Sequence, residues 1–202
     1  MNEQDGIAAA WDRIETWLRE HAPRTLGTLN GPVDEHEIRE AEQVLGVCLP
    51  PGLVMSLRRH DGACGQSADE EVDPAAFCFP SEHRLLPLSE IVARTLLLRS
   101  VEGGGGDGEW WHAGYLQVAS YDVTTDGTVL DCREGETYGR VGDFSRTSGT
   151  SFDGPADFGA LLEATAMALE EGRGVLIDLD EEEVDEDDPN AAPLRERAVI
   201  WD

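Results

Sequence analysis

Lysine is absent from this 202-residue sequence. All 15 basic residues are arginines, and 42 Asp and Glu residues bring the formal net charge to -27. This charge disfavours direct binding to nucleic acids or anionic membrane surfaces, because both attract proteins mainly through cationic side chains. It favours encounter with a basic protein. Acidity also serves solubility alone, so charge by itself does not decide between these two roles.

The sequence also lacks any apolar run of about 18 residues, which a membrane-spanning helix would need. The segment Met1–Ala10 contains Glu3 and Asp5 but no basic residue, unlike a secretory signal. We therefore expect a cytoplasmic protein without a transmembrane segment. The length predicts one domain of ordinary size plus a modest extension.

No C-x-x-C motif is present among the four cysteines, which are Cys48, Cys64, Cys78 and Cys132. A chain of this size can build a core without disulfides. We expect all four thiols to be reduced and most of them to be buried.

Sites for metals or nucleophilic catalysis are poorly supported. The four residues with the side chains of a zinc site are His60, Cys64, Cys78 and His83. Their spacing matches no standard zinc motif. Nothing in the sequence pairs Cys64 or Cys132 with His60 or His112 as a nucleophile and base. We therefore predict no catalytic residue, no cofactor and no metal.

Three further motifs resemble functional loops but lack a required residue. The glycine-rich stretch 103–108 lacks the lysine of a phosphate-binding P-loop and is better interpreted as a mobile loop. The segment Asp122–Gly127 begins like a calcium-binding loop, but Arg133 occupies the position of the required Glu. Ser151 is not followed by the glycine of a nucleophile elbow, and we expect it in a loop before the last helix.

Apolar periodicity predicts three N-terminal helices. The first covers Ile7–His21 and is stopped by Pro23. Asp34 and Glu37 form a capping box for the second, which Gly46 ends. A third short helix begins at the prolines 50–51 and closes at residues 60–62.

The rest of the sequence indicates short strands and two more helices. Strands are predicted at Phe77–Phe79 and Leu85–Leu88, before a helix at Ser89–Arg99. A hairpin at Tyr115–Val123 and Thr128–Arg133, with a type I′ turn at Asp126–Gly127, and a strand at Tyr138–Phe144 form a meander. A last helix at Pro155–Glu171 ends at Gly172.

Acidic residues dominate the segment after the last helix. Nine of the eleven residues in Asp178–Asp188 are acidic, and such a block repels itself and is expected to be extended and solvated. The apolar end Ala198–Trp201 is expected to dock as a short strand or to be recognised by a partner. We predict a domain over residues 1–175 and an acidic, partly disordered extension over 176–202.

An ordered set of motifs resembles the SUKH superfamily, which contains fungal cell-wall-synthesis regulators and bacterial toxin-immunity proteins. The strongest motif runs through Glu37–Pro50 and on to His60–Gly62. The other similar segments are Trp11–Leu18, Leu86–Ile91, Asp126–Val141 and Phe152–Leu162. The resemblance covers roughly residues 7–173; it departs from the family at Gly114–Val118, which lacks an expected proline.

The resemblance implies a single α+β domain, with a central antiparallel-rich sheet flanked by N-terminal helices and a closing C-terminal helix. It also implies a non-enzymatic binding protein, either an immunity protein that occludes a basic toxin domain, such as a nuclease, or a scaffold or regulator without a toxin partner. An enzyme or metal protein is the remaining alternative. The predicted partner contacts are Asp107, Glu109, Trp110, Asp180, Glu181, Glu182, Glu183, Asp185 and Glu186.

Overall fold

The computed structural model describes residues 3–66, 72–101, 110–179 and 196–201. The predicted α+β class is confirmed. The helices are α1 (Glu3–His21), α2 (Pro23–Leu26), α3 (Glu35–Leu45), α4 (Pro51–Leu57), α5 (Leu88–Ser100) and α6 (Phe158–Glu170). The strands are β1 (Arg84–Leu85), β2 (Tyr115–Ser120), β3 (Gly127–Asp131), β4 (Val141–Ser145), β5 (Gly149–Ser151), β6 (Val175–Asp178) and β7 (Arg197–Ile200).

The ends of α3 follow from its sequence. The Asp34 carboxylate accepts hydrogen bonds from the backbone N–H of His36 and Glu37, at 2.7 and 2.9 Å. The Glu37 carboxylate accepts one from the Asp34 N–H at 3.1 Å, which completes the predicted capping box. Gly46 ends the helix with φ of 67°. These contacts satisfy backbone groups that helix ends otherwise leave without partners.

The main core lies between the helices and the sheet. Helix α1 packs against α4 and α6, and its fully buried Trp11 donates a hydrogen bond to the Ser56 hydroxyl at 3.1 Å. A second, smaller cluster contains Leu98, Trp111, Tyr115, Val129 and Phe144. In the part of the chain that the structure describes, no helix is long and apolar enough to cross a membrane.

The five-stranded sheet is antiparallel throughout, in the order β1-β2-β3-β4-β5. The predicted type I′ turn at Asp126–Gly127 is wrong. Gly127 instead pairs with Ser120 inside the ladder, and residues 121–126 form the connection. A Cβ on Gly127 would lie 2.2 Å from the Ala119 carbonyl oxygen, so close strand contact explains this glycine. The Asp126 carboxylate accepts a hydrogen bond from the Arg146 N–H at 2.8 Å, which ties the loop to the next hairpin.

Other predicted boundaries also shift. Phe77–Phe79 contributes only an isolated bridge from Cys78 to Arg84, and β1 ends at Leu85 because α5 follows Pro87. The third strand of the meander begins at Val141 instead of Tyr138, because Gly139 has a φ of 83° and forms a turn.

The last helix and the strand before it also differ from the prediction. Helix α6 begins at Phe158 instead of near Pro155, because the Asp157 carboxylate caps it by accepting from the Ala160 N–H at 2.8 Å. Ser151, which was expected in a loop, lies in β5, where Thr150 pairs with Phe144.

The C-terminal residues form a ribbon of two strands, β6 and β7. Strand β7 packs against α2, and the Val199 N–H donates to the buried Thr25 hydroxyl at 3.0 Å. The Trp201 indole donates to the Cys78 carbonyl at 2.9 Å. The predicted docking of Ala198–Trp201 as a strand is confirmed.

Candidate partner-binding surface

Trp110 is the one predicted partner contact that lies within the described residues. Its indole N–H donates to the Arg146 carbonyl at 3.1 Å, and its ring meets Phe144 edge to face at 4.9 Å between centroids. The Thr150 hydroxyl donates to the Trp110 carbonyl at 2.9 Å. Trp110 is thus fixed, half-buried, on the β4–β5 hairpin, and only part of its ring is available to a partner.

The other predicted contacts lie outside the described residues: Asp107, Glu109, Asp180, Glu181, Glu182, Glu183, Asp185 and Glu186. The structure nevertheless fixes both ends of the acidic segment. Asp178 pairs with Arg197 across the ribbon, and the Leu179 N–H donates to the Glu196 carbonyl at 3.1 Å. The described residues on either side of 180–195 therefore lie side by side in the ribbon.

Most arginines are engaged by neighbouring carboxylates. The ion-paired ones in the described residues are Arg13, Arg19, Arg24, Arg58, Arg59, Arg84, Arg94, Arg133, Arg173 and Arg197. Glu134 and Glu136, by contrast, are exposed between β3 and β4 and have no ion-pair partner in the residues that the structure describes. These ten arginines are compensated by carboxylates of the same chain, which leaves the excess negative charge to act on solvent and on partners.

A cavity of about 430 Å³ borders the buried Arg84. The guanidinium of Arg84, 3% exposed, donates to Asp122 at 2.7 and 2.8 Å, to Glu90 at 2.8 Å and to the Ala63 carbonyl at 2.8 Å. Burial alone lowers the pKa of Arg84, but the hydrogen bonds to Asp122 and Glu90 outweigh it and raise that pKa. Asp122 is therefore held by an arginine, which argues against its interpretation as a calcium ligand.

A second polar network joins α1 to the segment after α4. Glu15 accepts from Arg59 at 2.5 Å and lies 2.9 Å from His60 Nε2, while His60 Nδ1 lies 3.0 Å from the Asn30 carbonyl. Burial raises the pKa of Glu15, but the hydrogen bonds from Arg59 and His60 outweigh that effect and lower it below its ordinary value. These contacts cross between distant segments and hold α1 against the loop after α4.

Asp61 and Gly62 position the start of α5. The Asp61 carboxylate accepts from the Leu88 N–H at 2.6 Å. Burial raises the pKa of Asp61, and the hydrogen bond from Leu88 only partly offsets this. Gly62 has φ of 63°, and a Cβ there would lie 2.3 Å from the Leu86 carbonyl carbon. Gly62 therefore serves backbone geometry.

The four residues considered for zinc each have separate partners. His83 Nδ1 lies 3.0 Å from the Thr128 hydroxyl, and His60 belongs to the Glu15 network. The thiols of Cys64 and Cys78 donate to the carbonyls of residues 66 and 76, each at 3.3 Å. No group of three or more potential ligands for a metal ion occurs within residues 3–66, 72–101, 110–179 and 196–201.

The cysteines are all free, but the expectation that most are buried is wrong for Cys48 and Cys64, which are exposed. Both lie in connecting segments, Cys48 after α3 and Cys64 beside the Arg84 cavity. Burial raises the pKa of Cys78 and of Cys132 to about 12, which disfavours a reactive thiolate at either position.

The Arg84 and Glu15 networks were not predicted from the sequence. Arg84 and Asp122 are 38 positions apart, and Glu15 and Arg59 are 44 positions apart, so neither pair lies within a short sequence motif. The Glu42 carboxylate also stabilises the segment after α3, where it accepts a hydrogen bond from the Leu49 N–H at 2.9 Å.

The sequence matches no protein-family model. It is 33% identical over 100 residues to a protein of Eremothecium gossypii named "KNR4/SMI1 homolog". It is 32% identical over 100 residues to the "Cell wall assembly regulator SMI1" of Saccharomyces cerevisiae. Each match covers 48% of this chain but only 15% and 19%, respectively, of the two relatives. The similarity is therefore confined to a small part of each relative.

Proposed function

We propose that this chain, which is similar over 100 residues to two Smi1/Knr4 proteins, is a member of the SUKH superfamily that acts in the cytoplasm by binding another protein and not by catalysis. The observation that carries this proposal is the distribution of charge. The described arginines are mostly bound to carboxylates of the same chain, while the acidic excess stays outward. A basic surface on a partner supplies the missing counter-charge.

The proposed partner is a basic toxin domain, such as a nuclease, whose cleft an immunity protein would occlude. Nucleases bind a phosphate backbone through cationic side chains, so an acidic protein competes for the same surface. The proposed contacts are Asp107, Glu109, Trp110, Asp180, Glu181, Glu182, Glu183, Asp185 and Glu186. Leu179 and Glu196, which flank residues 180–195, are hydrogen-bonded to each other, and this supports the role because it fixes where the acidic sequence joins the body.

A neighbouring toxin gene provides the test. Cells that express a basic toxin encoded beside this gene should survive when this chain is co-expressed, and the purified proteins should form a complex that associates more slowly as salt increases. A variant with the six acidic contacts in 180–186 changed to Asn or Gln should protect less well. Survival without complex formation, or association that ignores salt, would contradict the proposal.

A second function is favoured by the names of the relatives. Both matches are to Smi1/Knr4 proteins, one of them named a cell wall assembly regulator. The chain would then serve as a regulatory or scaffolding module without a toxin partner. Co-expression with the neighbouring toxin separates the two functions: protection that is lost on deletion of residues 180–195 supports immunity through the acidic segment, whereas a lack of protection by the intact chain favours the scaffold. A longer deletion through residue 202 would be uninformative, since β7 is part of the core.

A further inference from the structure

Strand β6 has an unpaired edge in the part of the chain that the structure describes. It pairs with β7 on one side and has no other strand neighbour there. The Leu179 N–H donates to the Glu196 carbonyl, so the alternation of an antiparallel pair directs the backbone groups of residues 175 and 177 towards β7. The same alternation directs those of Leu176 and Asp178 away from β7.

The contacts of β7 confirm this alternation independently. Val199 is opposite Leu176 in the ribbon, and its N–H donates to the Thr25 hydroxyl instead of to β6. In an antiparallel pair, two directly opposed residues either both direct their backbone N–H and C=O groups towards each other or both direct them away. The outer edge of β6 therefore presents the N–H and C=O groups of Leu176 and Asp178.

The side chains of this edge are apolar and accessible. Val175 and Leu176 are each 41% exposed, and Ile177 is half-buried. Exposed edges in proteins are usually protected by lysine, proline, a bulge or a very short strand. Strand β6 contains no lysine or proline, and its register with β7 is continuous. The edge strands of the larger sheet are shorter, since β1 has two residues and β5 has three.

Charge decides which strand this edge accepts. Asp178 ends β6, and the sequence continues with the acidic residues of 180–188. The nearby cations are engaged, because Arg197 pairs with Asp178 at 2.9 Å and Arg173 with Glu171 at 3.1 Å. A second copy of this chain carries the same net charge of -27 and is repelled, whereas a basic strand is attracted. Residues 180–195 are a poor occupant, since eight of the sixteen are acidic and they include Pro189 and Pro193.

We propose that β6 binds an extended basic segment of a partner protein, which adds to the ribbon as a third strand. The backbone groups of Leu176 and Asp178 supply hydrogen bonds, and the exposed Val175 and Leu176 pack against alternate side chains of the added strand. The adjacent acids select for arginine or lysine in that segment. This inference rests on the proposed binding function and names the kind of surface that the partner uses.

A synthetic peptide of alternating Val and Arg residues tests the inference with the full-length protein at physiological ionic strength. An analogue that is N-methylated at every central amide has the same charge but cannot form strand hydrogen bonds. The protein variants are Leu176→Pro, which removes an outward N–H without touching the bonds to β7, and Leu176→Ser. The matched control is Leu97→Ser, which alters another exposed leucine on α5. Thermal unfolding and circular dichroism establish that each variant is folded.

The peptide should bind the wild-type protein and Leu97→Ser equally, and roughly tenfold more weakly after N-methylation or in Leu176→Pro. Leu176→Ser should weaken binding by a smaller factor. Equal binding of the methylated peptide, or equal binding by Leu176→Pro, overturns the edge-strand inference but leaves the acidic-surface proposal standing. Self-association of the wild type that Leu176→Pro abolishes also overturns it, because the occupant would then be a second copy. Failure of every basic probe to bind, at any salt concentration, contradicts the proposed function itself.

Discussion

The segment His60–Gly62 and the β6–β7 ribbon use their distinctive residues in opposite ways. His60 contacts Glu15 and Asn30, Asp61 caps α5, and Gly62 touches the backbone of Leu86, so the most recognisable motif points inward. The ribbon exposes aliphatic side chains and holds both ends of an acidic segment. The comparison teaches that the motif that carries the resemblance to the SUKH superfamily maintains the fold, whereas partner recognition is expected in the ribbon.

The largest expected effect is at Gly62. Substitution Gly62→Ala places a Cβ 2.3 Å from the Leu86 backbone in a left-handed conformation, and should cost about 3 to 5 kcal/mol in the free energy of unfolding. The matched control is Gly46→Ala, which has a similar φ of 67° but no atom within 4 Å of the new Cβ. It should cost only about 1 kcal/mol in urea unfolding. Equal losses at the two positions would show that close contact at Gly62 is unimportant.

The next largest effect is expected when β7 is removed. A stop codon after residue 195 removes the buried Ala198 and Val199 together with the Trp201 hydrogen bond to Cys78. This truncation should reduce the free energy of unfolding by about 3 kcal/mol. Urea unfolding of the truncated and complete chains measures the loss. If the truncated chain is as stable as the complete one, β7 does not contribute to the core.

A medium effect is expected at Glu15. Substitution Glu15→Gln weakens the contacts with Arg59 and His60, and should cost about 2 kcal/mol at neutral pH. Because folding lowers the Glu15 pKa, the stabilisation is present above its ordinary value of 4.5 and is lost as the pH falls through the lower folded value. The difference between wild type and variant in chemical unfolding should therefore shrink below about pH 4.5.

The exposed Glu134 provides the control for Glu15. It lies in the β3–β4 connection, so Glu134→Gln should change the free energy of unfolding by less than about 0.5 kcal/mol at any pH. A Glu15→Gln effect that persists unchanged in acid would contradict the assigned role of its carboxylate.

The smallest effect on stability is expected for the acidic segment. Replacement of residues 180–195 by a Gly–Ser linker should leave the thermal unfolding midpoint almost unchanged, because β6 and β7 remain joined. The same replacement should reduce the association rate with a basic partner. A large loss of stability would show that the segment belongs to the folded body and is not an accessory to it.

Local signals predicted the parts of the fold that depend on a few neighbouring residues. The capping box of Asp34 and Glu37 and the left-handed Gly46 are such cases. Predictions from sequence were wrong where contacts between distant residues determine the structure. Gly127 was predicted to form a turn, but the backbone of Ala119 opposite requires a glycine there. The Arg84–Asp122 pair was missed for the same reason, because only the folded sheet brings the two side chains together.

Only the acidic character of the candidate site could be predicted from the sequence. An excess of acidic residues is visible in composition, and it indicates a basic partner without showing which carboxylates make contact. That the residues on either side of 180–195 lie side by side follows from the pairing of Asp178 with Arg197, which depends on the docking of β7 against α2. Trp110 was chosen as a contact from sequence, and its engagement with Arg146 and Phe144 depends on the β4–β5 hairpin.

The association rate constant with a basic protein encoded beside this gene, measured across salt concentrations, tests the central claim most directly. For the wild-type chain, the rate constant should fall steeply as salt screens the acidic surface. With the six acidic contacts of 180–186 changed to amides, association should be slower and nearly independent of salt, with little change in dissociation. Identical rate constants for the two proteins at every salt concentration would contradict recognition through the acidic segment.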